Sequence, residues 1–199
     1  MRVWSGHVES VPPIEGTLGE APDAIVLVQS VGEAERLEPA ATERLVYLTQ
    51  TTLSVDETGE IIAVLKQRFP NIEGPKKDDI CYATSNRQWA VKALLREVEL
   101  VLVIGSANSS NSNRLVEVAQ AGGVPAYLID DEREIREAWL EGVESVGLTS
   151  GASTPERLVR SVCSWFRERG VAEIRPHRSI REDVSFKLPT LVRESLAAR

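Results

Sequence analysis

The stretch Val101–Arg114, VLVIGSANSSNSNR, decides the fold. It opens with an unbroken apolar run, Val101-Leu102-Val103-Ile104. Such a run, without polar alternation, suits a strand buried on both faces of a parallel sheet. Gly105 lets the backbone turn at the strand's carboxyl end. Ser106, Asn108, Ser109, Ser110, Asn111, Ser112 and Asn113 follow, nearly all small hydrogen-bonding side chains. The apolar pattern restarts at Leu115 and Val116, which predicts a helix beginning near Ser112 or Asn113. Open α/β sheets bind ligands in such loops, outside the carboxyl ends of their strands. Free backbone N–H groups and the positive end of the helix dipole favour an anion there, typically a phosphate. Ser and Asn are also the preferred N-caps, so one or two of them would call for no ligand. The density of this cluster is what points to binding.

The pattern extends in both directions from this loop. Gln88–Val98 reads as an amphipathic helix leading into the strand. Downstream, Ala126–Ile129 reads as a strand, Glu132–Leu140 as a helix and Ser145–Leu148 as another strand, closed by Thr149–Pro155. Pro155 suits the first turn of a helix reaching about Arg167, and Val171–Ile174 reads as a last strand. Upstream, Met1–Trp4 fits the end of a strand and Ser5–Glu9 a loop. Ala24–Val28 is a buried strand, Val31–Arg36 a short helix, and Leu45–Leu48 a strand ending in Thr49-Gln50-Thr51-Thr52. Ser54 and Glu57 form a capping box. The helix they start shows an apolar face at Ile61, Ile62, Leu65 and Phe69, and Pro70 ends it. Asn71–Asp79 is a loop with a domain boundary near it, and its Lys76-Lys77-Asp78-Asp79 run is a solvated charge cluster. Alternating strands and helices mean α/β with parallel sheets. Polar loops follow Leu48, Ile104 and Leu148; if the two halves face each other, these loops meet in one cleft.

Composition narrows the function. The 199 residues carry a formal net charge of -7, which argues against nucleic-acid or anionic-membrane binding. No apolar run approaches the roughly 20 residues that cross a bilayer. The amino end, MRVWSGHVES, has no apolar core of signal-peptide length. With only Cys81 and Cys163, a disulfide framework is not expected and the cytoplasm is the default compartment.

Several residues have both a plain reading and a chemical one. Cys81, in Asp78-Asp79-Ile80-Cys81-Tyr82-Ala83-Thr84, is either a small buried hydrophobe or a ligand. Cys163, in an apolar helical stretch, reads as core, and the two cysteines form no CxxC motif. His7 and Glu9 read as a solvated terminus from position alone, and His177 as exposed in a charged tail. Thr51 and Thr52 would serve as helix-entry residues, and Ser150 and Ser153 as caps of the helix after Pro155.

The order of these segments resembles the 4-hydroxy-3-methylbut-2-enyl diphosphate reductases of the non-mevalonate isoprenoid pathway. The matching segments begin with Ile14-Glu15-Gly16-Thr17, Thr49–Asp56 and Asp78–Thr84. Asn86-Arg87-Gln88, Asn108–Arg114 and Gly151-Ala152-Ser153 match too. The resemblance implies a trefoil of three small α/β units around a 4Fe–4S-type cluster, held by one cysteine from each unit. This chain would be the C-terminal two thirds of that trefoil. Residues 1–77 would be an incomplete second unit, 78–175 the third unit and 176–199 a C-terminal tail. Cys81 matches the third cluster cysteine, so this chain alone would hold the cluster incompletely. Thr51 matches a catalytic threonine near the cluster. Ser109, Asn111 and Ser153 match residues that grip the substrate diphosphate, with Ser110 beside them.

Departures from the pattern are equally specific. On this resemblance the first unit and the start of the second are absent, with two of the three cysteines and the earlier diphosphate-binding histidines. Ala107 stands where a lysine is usual. The family carries a Gly-His-x-Glu motif whose histidine contacts the diphosphate and whose glutamate supplies protons. Gly6-His7-Val8-Glu9 fits it if Ser10–Pro13 is an insertion; an ungapped reading back from Ile14 places Pro13 and Val11 there instead. The implied activity is reductive dehydroxylation of an isoprenoid diphosphate, with a ferredoxin or flavodoxin as electron donor. The alternatives are an inactive remnant or split-protein subunit that binds a diphosphate without its own cluster, and a phosphate-sensing module on a flavodoxin-like fold. The last leaves Cys81 in its motif without a role.

Overall fold

The computed structural model describes residues 2–5, 11–39, 44–75, 80–177 and 189. They form two parallel three-stranded sheets with helices between the strands. The first sheet is built from β1 (Arg2–Ser5), β2 (Ile25–Val28) and β3 (Val46–Thr49), in the order β2-β1-β3. Its helices are α1 (Val11–Glu20), α2 (Val31–Arg36) and α3 (Val55–Arg68). Next comes α4 (Tyr82–Leu94). The second sheet takes β4 (Leu100–Ile104), β5 (Ala126–Ile129) and β6 (Val146–Ser150), in the order β5-β4-β6, with α5 (Ser110–Ala121) and α6 (Glu156–Glu168). In each sheet the earliest strand is central and the next two flank it. Val101 pairs with Ala126 on one side and Gly147 on the other.

β4 is buried along its whole length, as its apolar run predicts. Side chains alternate across a strand. Leu100, Leu102 and Ile104 pack with Ile129, Ile135, Val162 and Phe166, whereas Val101 and Val103 pack with Val91, Leu115 and Ala119. Burying one such side chain is worth about 1.5–3 kcal/mol, so this strand anchors the second sheet. Among the described side chains, the first sheet's core holds Val28, Ala34, Leu37, Leu45, Ile61, Leu65 and Ile72. Of β3, only Thr49 is buried. Past α3 the chain returns to that strand: Tyr47 N–H donates to the Glu73 carbonyl and Glu73 N–H to that of Leu45, both at 2.9 Å.

The structure departs from the sequence reading in several places. α1 forms over Val11–Glu20, where no element was expected. Pro12 and Pro13 fall in its first turn, where a helix needs no intrahelical N–H partner. α4 starts at Tyr82 rather than Gln88 and places Cys81 at its N-cap. Glu132–Leu140 is not one helix but two single 3₁₀ turns, Glu132–Glu134 and Glu137–Trp139. Asp131 caps the first turn, while Trp139 stacks flat on Tyr127 with ring centroids 4.0 Å apart. Val171–Ile174 is not a strand. Gly170, at φ +89°, ends α6, and Ile174 packs against the second core as a loop residue. Cys163 is only half-buried, not core. Among the described residues no helix is long and apolar enough to cross a membrane.

Candidate functional site

The loop after β4 is shaped by two glycines and one serine. A Cβ on Gly105 would overlap Ser112 Oγ and lie 2.9 Å from Ser112 Cβ. A Cβ on Gly151, at the end of β6, would overlap the same oxygen and stand 3.2 Å from Thr154 Oγ1. The first turn of α5 therefore sits directly on the chain leaving both strands, a close approach that glycine permits. Thr154 Oγ1 and Gly151 N–H both donate to the Ile104 carbonyl, at 2.9 and 3.0 Å, which knits the β6 loop onto the end of β4.

Helix α5 begins at Ser110, earlier than the Ser112 or Asn113 start expected from the apolar restart. Ser109 is its N-cap and accepts from Ser112 N–H at 3.3 Å and from Ser112 Oγ at 3.0 Å. Ser110 and Asn111 thus lie in the first turn, where backbone N–H groups lack intrahelical acceptors. Ser106 Oγ accepts from Asn108 N–H at 3.3 Å, and Asn113 Nδ2 donates to the Ala107 carbonyl at 2.8 Å, so the loop is held from within.

Asn111 is the chemically unusual member. It is 7% exposed, and neither its Nδ2 nor its Oδ1 has a hydrogen-bond partner among the described residues. A buried polar group left unpaired costs about 1–3 kcal/mol, so such groups are rare and call for an explanation. Arg114, the loop's own cation, is committed elsewhere: its side chain pairs with Glu57 at 3.3 Å and with Glu117. The turn therefore offers neutral donors, namely hydroxyls, an amide and backbone N–H groups. That set can hold an anion without an ion pair.

The remaining predicted residues divide into two groups. Ser153 lies exposed in the loop that Gly151 and Thr154 fasten beside Ser112. Neither it nor Ser150 caps α6, whose N-cap is Pro155 with no side-chain cap bond. Cys81 and Thr51 form a second pair: Cys81 N–H donates to the Thr51 carbonyl at 3.0 Å, and both residues are exposed. Cys81 is therefore not the small buried hydrophobe of the plain reading. His177 is exposed, as expected. His7, Glu9 and Lys76–Asp79 lie outside the described residues.

Among the described residues no group of three or more His, Cys, Asp or Glu side chains is placed to hold a metal ion. Cys81 offers one thiol, and iron–sulfur clusters are held by several thiolates. The described residues thus do not fit a complete cluster site. Sequence reasoning gave no part to Ser112 as the packing centre or to Thr154. Two glycines after apolar strands, each near a serine or threonine, were the available signal. It was also silent on what Arg87 and Gln88 do, although both stand in a quoted segment.

Fold and loops define the class: a parallel α/β protein whose strands end in polar loops at helix N-termini. The chain belongs to the LytB protein family, whose sequence pattern matches residues 4–167. It is 53% identical over 187 residues to a 4-hydroxy-3-methylbut-2-enyl diphosphate reductase of Ralstonia nicotianae, covering 94% of this chain and 57% of that protein. Against the reductase of the same name from Streptomyces avermitilis it is 50% identical over 194 residues, covering 97% of this chain and 56% of that one. Its fold is similar to the solved E-1-hydroxy-2-methyl-but-2-enyl-4-diphosphate reductase of Plasmodium falciparum. That match has a TM-score of 0.82 at 30% identity and covers 99% of this chain and 62% of the other. The chain spans somewhat more than half the length of these curated relatives.

Proposed function

We propose that this chain is the diphosphate-holding part of a 4-hydroxy-3-methylbut-2-enyl diphosphate reductase. The observation that supports this reading is the buried amide of Asn111 in the first turn of α5, unpaired among the described residues. Its Nδ2 would donate to a diphosphate oxygen, beside the hydroxyls of Ser109 and Ser110 and the free N–H groups of the turn. Ser153 would reach the same anion from the β6 loop. His7 would add a contact under the gapped alignment. The names of the relatives supply the substrate, an isoprenoid diphosphate.

The reaction of the whole enzyme would be a reductive dehydroxylation. Two electrons and two protons enter, the substrate's hydroxyl leaves as water, and isopentenyl and dimethylallyl diphosphate form. Hydroxide is a poor leaving group, so its protonation matters, and general acid catalysis contributes about 10²–10⁴-fold. Glu9 would be that acid, with Thr51 beside the reacting end. A ferredoxin or flavodoxin in the cytoplasm would supply the electrons. Cys81 would be one thiolate of a 4Fe–4S cluster, completed by residues outside the described ones. The units would divide at residues 77 and 78, with a tail from 176. Since the described residues offer a single exposed thiol, the chain alone would bind diphosphate without holding a stable cluster.

Calorimetry with dimethylallyl diphosphate tests the site. The Asn111→Ala chain should bind at least about tenfold more weakly than the unmodified one, a difference of about 1.4 kcal/mol. Equal affinities would place the anion elsewhere.

A further inference from the structure

The segment Asn86-Arg87-Gln88 has no part in the site as built so far, yet two of its side chains reach the loops of both sheets. Gln88, on α4, is 1% exposed. Its Nε2 donates to the Leu53 carbonyl at 2.8 Å, and its Oε1 accepts from Val55 N–H at 3.0 Å. That N–H belongs to the first residue of α3, so Gln88 satisfies an end group of a helix it does not belong to. With the Cys81–Thr51 backbone bond, it fastens α4 to the loop that follows β3. Arg87 points to the other sheet. Its Nε donates to the Ser150 carbonyl at 3.2 Å, while its Nη1 donates to the Ala83 carbonyl of its own helix at 3.1 Å. Ser150 immediately precedes Gly151, whose Cα lies against Ser112 and whose added Cβ would come 3.6 Å from Asn111 Nδ2.

We propose that Arg87 is a positioning residue for the anion site: braced on Ala83, it holds the Ser150 carbonyl and so sets where the Gly151–Ser153 loop, with Ser153, stands beside Asn111. Gln88 fixes the helix from which Arg87 acts. This inference rests on the anion-site reading of the Asn111 loop. The bracing depends on the planar guanidinium, which presents several N–H donors in a fixed fork. A lysine would keep the charge but offers a single flexible ammonium, so it does not reproduce two bonds to carbonyls on different elements. Charge and geometry can therefore be separated by experiment.

The test is calorimetric titration of the full chain with inorganic pyrophosphate, comparing the unmodified protein with Arg87→Lys, Arg87→Met and Asn111→Ala. Hydrogen exchange of the free proteins accompanies it. Positioning predicts that Arg87→Lys and Arg87→Met both lose about tenfold in affinity, equivalent to about 1.4 kcal/mol. It also predicts that the amides of Gly151 and Thr154, bonded to Ile104 and Gly151 carbonyls, exchange faster in Arg87→Lys while those of Val101–Ile104 do not. Full recovery of affinity in Arg87→Lys would overturn the proposal in favour of charge alone. Unchanged affinity in both Arg87 variants, with loss in Asn111→Ala, would overturn it and leave the anion site standing. No pyrophosphate binding by the unmodified chain would overturn the anion site and this proposal together. Should Arg87→Met not fold, Arg87→Lys and its exchange pattern decide alone.

Discussion

The two sheets share one strand order, and among the described side chains the central strand β4 and the flanking strands are buried to different degrees. In the second, the central strand β4 is apolar and buried at all five positions. In the first, the flanking strand β3 is buried only at Thr49, and half-buried Val26, Tyr47 and Val64 pack around the described cluster. The flanking strands of both sheets are buried at only some positions, whereas the central strand β4 is buried at all of them. The second sheet carries the loop with the buried amide of Asn111, unpaired among the described residues. A group that costs stability when it lacks a partner is tolerated where burial elsewhere offsets it.

The largest effect should come from cutting this support. Leu102→Ala removes a side chain that is 0% exposed, and large-to-small changes at such sites cost about 2–5 kcal/mol. Val28→Ala in the first sheet, at 1% exposure, removes less volume and should cost about 1.5–2 kcal/mol. Urea unfolding of both variants measures the difference. Equal losses would break the comparison.

Next comes the glycine contact. Gly105→Ala forces Ser112 to move; overpacking of this kind costs about 1–3 kcal/mol. It should also weaken pyrophosphate binding, because Ser112 is tied to the cap of α5. An alanine variant with full stability and affinity would show that the first turn of α5 is not held by that packing.

Helix caps sharpen the contrast further. Ser54 and Ser109 each cap a helix by accepting from the N–H three residues on, and losing such a cap costs about 1 kcal/mol. Ser109→Ala should lose stability and pyrophosphate affinity together, whereas Ser54→Ala should lose stability alone. Matching affinity losses would mean that the first sheet shares the anion site.

The smallest expected effect is one of pH. The Glu99 carboxylate accepts from the backbone N–H groups of Glu144 at 2.7 Å and Ser145 at 3.2 Å, which holds its pKa below the ordinary glutamate value. A lowered folded pKa contributes stability that is present above the unfolded pKa and lost as pH falls through the folded one. Thermal melts at falling pH should therefore show a shallower decline for Glu99→Gln than for the unmodified chain. Parallel declines would remove Glu99 from the account.

How much of this was legible in the sequence follows from where each feature's cause lies. β4 was legible because its burial is written in one unbroken run, and so was the Ser54 cap, because its bond to Glu57 N–H is local; the Glu57 carboxylate pairs with Arg114 instead. The start of α5 was not. Ser109 and Ser112 are both good caps, and the choice between them is made by Gly105 and Gly151, which come together only when β4 and β6 pair. α1 was hidden because Pro12, Pro13, Gly16 and Gly19 are poor helix formers. The roles of Arg87 and Gln88 rest on bonds to residues far along the chain, which no local pattern records. The polar loop pointed to the proposed anion site, and the Cys81 segment pointed to the family. Asn111 as its unpaired member became visible only in three dimensions.

On the proposed anion site, Asn111 is kept for a ligand at a cost to the fold. Asn111→Leu replaces the amide with an apolar group of similar size, and its stability can be measured by urea unfolding with and without pyrophosphate. The ligand-free variant should be more stable than the unmodified chain by about 1 kcal/mol, the scale of an unpaired buried polar group. Pyrophosphate should then stabilise the unmodified chain but no longer stabilise the variant. A variant less stable than the unmodified chain, yet stabilised by pyrophosphate to the same extent, would contradict it.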